Sequence, residues 1–268
     1  MKKLDNLSQI YNQYDVFIID LWGVVHNGIS LNSGASNVIE KLSSNGKKVI
    51  FLSNAPRPSA SVIKFLEKIN MKKKFLNNVM TSGEAAKISL KKMYYGKKFY
   101  HLGPERDNIL YKGLDLKKTI IDECEFILCT GLFDDQMENL DYYNSLLNEH
   151  TKKKLICTNP DLIVHRGSKS EYCAGKIAEI FEKMGGEVIY FGKPFSEVYN
   201  QAANNNKKKI LCIGDNLNTD IKGANLQNYH SLLILNGIHK QEIKNEGIEK
   251  VSKKYEAIVN FIQSELKW

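Results

Sequence analysis

The 268-residue chain has no apolar run near the ~20 residues that a membrane-spanning helix requires, so a bilayer protein is not expected. Two lysines open MKKLDNLSQIYNQYD, but no apolar core follows them. The segment does not read as a secretory signal, and a cytoplasmic location is expected. Cysteine is sparse and unpaired in spacing: Cys124, Cys129, Cys157, Cys173 and Cys212 form no close C-x-x-C pair, and their number is odd. Three of them sit in the apolar runs FILC, LIC and ILC, which points to reduced, buried thiols acting as small hydrophobes. The net charge is +8, yet no arginine-rich block and no basic stripe interleaved with aromatics is present. Nucleic acid is therefore not an expected partner, and attraction of a small anionic substrate is the easier use of that field. Two nucleotide-binding fingerprints are also missing. No G-x-G-x-x-G follows the first strand, where DLWGVVHNG stands, and no G-x-x-x-x-G-K-[ST] occurs, which excludes a dinucleotide-binding dehydrogenase and a P-loop kinase.

What is present is a repeated layout. GKKVIFLSNA starts at Gly46, GKKFYHLGPE at Gly96, TKKKLICTNP at Thr151 and NKKKILCIGD at Asn206. Each has a polar or glycine stop, two or three lysines, a short apolar run and a loop rich in Gly, Asn, Ser, Thr or Pro. GGEVIYFGKP, from Gly185, repeats it with Glu in the lysine position. The lysines suit helix C-termini, where cations meet the negative end of the dipole. Continuous apolar runs suit strands buried on both faces of a parallel sheet. Helical spacing fills the gaps, in SGASNVIEKLSSNG, PSASVIKFLEKIN, GEAAKISLKKMYYG, EYCAGKIAEIFEKMGG and SEVYNQAANNN. The pattern predicts an α/β protein with a doubly wound parallel sheet.

In that architecture ligands bind beyond the carboxyl ends of the strands. The chemistry is therefore expected in DLWG, SNAP, TNPD, GKP and GDNLNTD. Asp20 follows VFII, Ser53 and Asn54 follow VIFL, Lys193 follows EVIYF, and Asp215 and Asp220 follow ILCI. Carboxylates, a hydroxyl, a lysine and backbone amides are the inventory for Mg²⁺-dependent phosphoryl transfer. Mg²⁺ takes hard oxygen ligands, and a carboxylate can attack phosphorus. The lysine offsets crowded negative charge, and the hydroxyl and amides hold phosphate oxygens.

The order Asp20-x-x-Gly23, Ser53-Asn54, Gly192-Lys193-Pro194, Gly214-Asp215-x-x-x-x-Asp220 resembles the haloacid dehalogenase (HAD) superfamily. The long insert, IGDNLNTDIKGA, TNPD and YFGKP are similar to its class IIA, NagD-like branch. The resemblance implies a Rossmann-like HAD core, residues 1–82 and 188–268, and an inserted smaller α/β cap of the C2 type, residues 83–187. It further implies a hydrolase of small phosphorylated metabolites, with Asp20 as nucleophile and metal ligand. The Trp22 carbonyl and Asp215 would be further Mg²⁺ ligands, with Asp220 in support. Ser53 and the Asn54 amide would bind phosphate, and Lys193 would bridge Asp20 and the phosphate. In the cap, Asn159 and Asp161 are expected to face the ligand, and Arg166 to pair with an anionic group. Oligomeric state stays open, a homodimer included.

One position departs from the family pattern. Trp22 stands where a second Asp ordinarily serves as general acid and base, and an indole does neither. Losing a placed acid typically costs ~10²–10⁴-fold in rate. His26 is the nearest substitute, although a histidine in such a turn is more often exposed. The rival reading is a weak or inactive HAD-fold binder of a phosphorylated ligand.

Overall fold

The computed structural model describes residues 1–166, 169–203 and 208–268, the side chains of 165, 166 and 169 excepted. In chain order the strands begin with β1 Lys2–Lys3, β2 Val16–Ile19, β3 Lys48–Ser53 and β4 Val79–Thr81. Next come β5 Lys98–Leu102, β6 Lys117–Lys118, β7 Phe126–Cys129 and β8 Lys154–Cys157. The order ends with β9 Ile163–Arg166, β10 Lys169–Tyr172, β11 Glu187–Tyr190, β12 Ile210–Gly214, β13 His230–Ile234 and β14 Phe261–Gln263. The chain divides into two compact units. One comprises Met1–Ser53, Ile63–Met80 and Lys193–Trp268, the other Asn54–Val62 and Thr81–Gly192. The stretch 83–187 lies within the second unit, which also takes residues 54–62, 81–82 and 188–192, expected in the core, because β11 pairs with β8.

The first unit holds a seven-stranded sheet in the order β1-β14-β13-β12-β2-β3-β4. Parallel pairing joins β12 to β2, β2 to β3 and β12 to β13. Counting from β2, the order is that of a doubly wound Rossmann sheet, with β1 added at one edge. Its direction of winding reverses between β2 and β12, so the crevice for a ligand opens there. VFII of β2 is buried along its whole length, because helices cover both faces. The helix Ser33–Ser44 shows how they attach. Ala35, Val38, Ile39 and Leu42 recur at helical spacing and are buried, while polar residues take the outer face. Val38, Ile39 and Leu42 each contribute roughly 1.5–3 kcal/mol when fully buried.

The second unit has its own parallel sheet, β11-β8-β7-β5-β6. Its core joins Ile127, Leu155, Tyr143 and Phe181 with Cys129 and Cys157. The cysteines are free and buried, as their apolar flanks require. An antiparallel hairpin of β9 and β10 interrupts the parallel pattern. It takes Glu171 and Tyr172 into a strand, so the helix expected over EYCAGKIAEIFEKMGG runs only from Ala174 to Lys183. The helix expected over SEVYNQAANNN is described as Ser196–Ala203, and Asn206 with its lysine run begins outside the described residues. Among the described residues no helix is long and apolar enough to cross a membrane.

Candidate active site

Asp20 leaves β2 at the reversal point, and its N–H donates to Ile213 O of β12 at 2.8 Å. That bond fixes the two strand ends side by side, and Asp215 follows β12. Asp20, Asp215 and Asp220 are all buried, and one carboxylate oxygen from each lies within 4.8 Å of the others. Lys193, only 3% exposed, donates to Asp20 Oδ1 and, at 2.7 Å, to Asp220 Oδ1. Burial pushes the Asp20 carboxyl well above the usual carboxylate range. The Lys193 ammonium opposes that rise, and the charges of Asp220 and Asp215 add to it. Three carboxylates thus face one ammonium, and a buried group with that surplus favours a cation. Every donor is a hard oxygen, the preference of a small divalent ion.

Neighbouring backbone shapes the group. Asp215 Oδ2 accepts from Ile238 N–H at 3.0 Å, and Asp220 Oδ2 accepts from Asn216 N–H at 3.1 Å. Gly23, with φ +83°, passes so close that a β-carbon there would lie 2.2 Å from Asp215 Oδ2. Ser53 is buried at the end of β3, the neighbour of β2 in the sheet.

The turn after Asp20 folds back on itself. Gly23 N–H donates to His26 O, and His26 N–H donates to Leu21 O. The Trp22 indole lies against the backbone of Gly28, at φ +87°, where a β-carbon would meet Cη2 at 2.6 Å. The ring also makes an edge contact with His26, centroids 5.3 Å apart, and His26 makes another with Phe65. His26 is therefore not the exposed turn histidine expected. It is buried, its Nδ1 accepts Gly28 N–H at 3.0 Å, and burial lowers its pKa to about 4. Its Nδ1 is thus occupied by the Gly28 N–H, and burial disfavours the imidazolium form.

Residues 17–117 match the family model for haloacid dehalogenase-like hydrolases, and residues 190–259 match a second, HAD-hydrolase-like model. The chain belongs to the haloacid dehalogenase-like hydrolases. A solved haloacid dehalogenase-like hydrolase from Brucella suis 1330 superposes with TM-score 0.87 at 28% identity, over 98% of this chain and 99% of that one. The 4-nitrophenylphosphatase of Schizosaccharomyces pombe is 26% identical over 265 residues, 88% of each protein. Phosphoglycolate phosphatase 1A, chloroplastic, of Arabidopsis thaliana is 23% identical over 266 residues, 88% of this chain and 73% of that protein.

The other expected residues of this HAD hydrolase lie in the second unit. Asn54 donates from its amide to Asp161 Oδ1 at 3.0 Å, and Asp161 N–H donates to Asn159 Oδ1 at 3.1 Å. The loop after β3 and the loop after β8 are thus tied through three of the named side chains. Arg166 ends β9, and its side chain lies outside the described residues. The sequence reading passed over the loop after β13, although LLILNGIH has the same apolar run and strand-end turn as the others. That loop supplies Ile238, which holds Asp215, and His239, which reaches Asn216.

Proposed function

We propose that this HAD hydrolase is a cytoplasmic, Mg²⁺-dependent phosphatase of a small phosphorylated metabolite, acting through an aspartyl phosphate at Asp20. The observation that carries the reading is the buried trio Asp20, Asp215 and Asp220 with Lys193 spanning two of them. Asp20, Asp215 and the Trp22 carbonyl would hold the ion, with Asp220 in support. When bound, Mg²⁺ supplies positive charge to the phosphoryl oxygens. The phosphatase relatives support a small phosphate ester as substrate and do not favour a binder without turnover.

The chain's own residues then divide the work. An Asp20 oxygen attacks phosphorus, and a P–O bond forms as the bond to the leaving oxygen breaks. Lys193 offsets the charge on the transferring group, while Ser53 and the Asn54 amide hold its oxygens. In the second half, water attacks the same phosphorus. The bond to Asp20 breaks, the carboxylate is restored and inorganic phosphate departs. Neither Trp22 nor neutral His26 protonates the leaving oxygen, so its own basicity governs the first half. We read the second unit as the C2-type cap and Asn159, Asp161 and Arg166 as its substrate-selecting residues.

Turnover of 4-nitrophenyl phosphate, assayed with Mg²⁺ and with a chelator, tests the reading. Mg²⁺-dependent hydrolysis that disappears in Asp20→Asn supports it. Hydrolysis that survives the substitution overturns it, and no turnover across a broad phosphate panel would establish the binder instead.

A further inference from the structure

We propose that Arg57 receives a carboxylate of the substrate, so that the substrate is a phosphate ester that also carries a carboxyl group. The inference rests on the reading above, in which the Asn54 amide holds the transferring phosphate. It deepens that reading by naming a second anionic group and the residue that binds it.

Arg57 and everything that holds it lie within the second unit. It stands three residues beyond Asn54 on the loop after β3, in the stretch Asn54-Ala55-Pro56-Arg57-Pro58. The chain meets most of its need for cations with lysine and has three arginines, Arg57, Arg106 and Arg166. The flanking prolines stiffen the loop. Pro56 fixes its own φ, and Pro58 disfavours the helical region for Arg57. Thr81 Oγ1 donates to Arg57 O at 2.6 Å, and Gly83 N–H donates to Ala55 O at 3.0 Å. A β-carbon at Gly83 would lie 2.4 Å from Pro56 O and 2.6 Å from Arg57 C, so the first turn of the helix Ser82–Leu90 rests directly on the loop backbone. Beyond the arginine, Ser59 N–H donates to Glu84 Oε2 at 3.1 Å.

The side chain is anchored at one nitrogen and open at the others. Its Nε donates to Asp107 Oδ1 at 2.7 Å, and that carboxylate is 3% exposed while the arginine side chain is 43% exposed. Among the described residues its two Nη groups make no hydrogen bond. A buried acid thus orients the guanidinium, a clamped backbone carries it, and one edge of the planar fork stays available. A carboxylate presents two oxygens in one plane, which such an edge meets with paired N–H donors. Asp107 already offsets the guanidinium charge, so a singly charged carboxylate suits the pair better than a second, doubly charged phosphate. The same loop therefore offers an amide to the phosphate at Asn54 and a fork to the acid at Arg57.

The test is a ratio of kcat/KM values, acid over neutral amide, measured with Mg²⁺ on the full chain. The pairs are 3- and 4-carboxyphenyl phosphate with their carboxamides, and 3-phosphoglycerate with its amide. The parent should favour the acid in at least one pair by ~10-fold or more, and Arg57→Met should cut that ratio by ~10-fold or more, the loss expected of a hydrogen bond to a charged group. A shift of the loop alone would slow acid and amide alike and leave the ratio in place. An unchanged ratio in Arg57→Met therefore overturns the role. Because Arg57→Met leaves Asp107 buried without its cation, it may not fold, and the double variant Arg57→Met, Asp107→Asn is then read by the same ratio. Turnover by the parent with no preference for any acid overturns the assignment of Arg57 alone. A parent that hydrolyses none of these esters, nor 4-nitrophenyl phosphate, overturns the phosphatase reading with it.

Discussion

Lys193 Nζ stands 2.7 Å from Asp220 Oδ1, and the same ammonium donates to Asp20. One buried cation thus sets the spacing of two acids from distant parts of the sequence. Lys193→Met should lower kcat by ~10²–10³-fold, the usual loss when a group that meets developing charge is removed. It should also destabilise the metal-free fold by ~3–5 kcal/mol, because the carboxylates are left without their counter-charge. Chemical denaturation with and without Mg²⁺ checks this. A stability loss that Mg²⁺ does not reduce would contradict it.

Asp20→Asn should abolish turnover yet stabilise the metal-free protein at pH 7. The folded pKa of Asp20 is raised, chiefly by burial, so the folded state holds a proton more readily than the unfolded chain. The ionised carboxylate therefore costs stability above the ordinary carboxylate range, and that cost fades as pH falls. Its removal should raise the melting temperature of the metal-free protein above the ordinary carboxylate range of pH. Scanning calorimetry should show the gain shrink when Mg²⁺ is present. A variant less stable than its parent at every pH would contradict the account.

Trp22 makes a kinetic prediction. With no acid at this position, aryl and acyl phosphates should turn over with Mg²⁺ far faster than sugar or alkyl phosphates, by roughly the ~10²–10⁴-fold a placed acid supplies. Trp22→Asp should flatten that dependence by raising the alkyl rates. It should also lower the melting temperature, because the indole packs on Gly28 and His26. Equal rates across the parent's leaving-group series would remove the case for a missing acid.

His101 sets a pH limit on the second unit. Its Nε2 lies 2.9 Å from Thr130 Oγ1, and burial lowers its pKa from 6.5 to about 4. A depressed histidine favours the fold while neutral. Its contribution is complete above pH 6.5 and is lost as pH falls toward about 4. The drop across that window should be ~3 kcal/mol, and His101→Gln should lack it. Denaturation midpoints at pH 7 and pH 5 decide the matter. A variant that loses as much stability as the parent would contradict the assignment.

Much of this was legible in the residues. Both-face burial makes VFII and ILCI continuous apolar runs, and the parallel sheet follows from them. Placing reactive groups after each run then finds Asp20, Ser53, Lys193 and Asp215 without coordinates. Three features were not legible, for physical reasons. The direction of the Trp22 ring depends on Gly28 adopting φ +87°, which the sequence permits and does not demand. The burial of His26 depends on Phe65, 39 positions away in the chain. The hairpin of β9 and β10 competes with a helical pattern whose first residues, Glu171 and Tyr172, suit a strand equally well. The loop with Ile238 and His239 is a different case, since its strand-end signal was present in LLILNG and only its chemistry was hidden. A backbone N–H and a histidine beside an asparagine announce nothing in one dimension.

The measurement closest to the central claim is rapid acid quench of the enzyme with 4-nitrophenyl phosphate and Mg²⁺, followed by peptide mass spectrometry. The account predicts one phosphoryl group on the peptide that carries Asp20, absent in Asp20→Asn. Steady turnover with that peptide unmodified, or with the label on another residue, would contradict it.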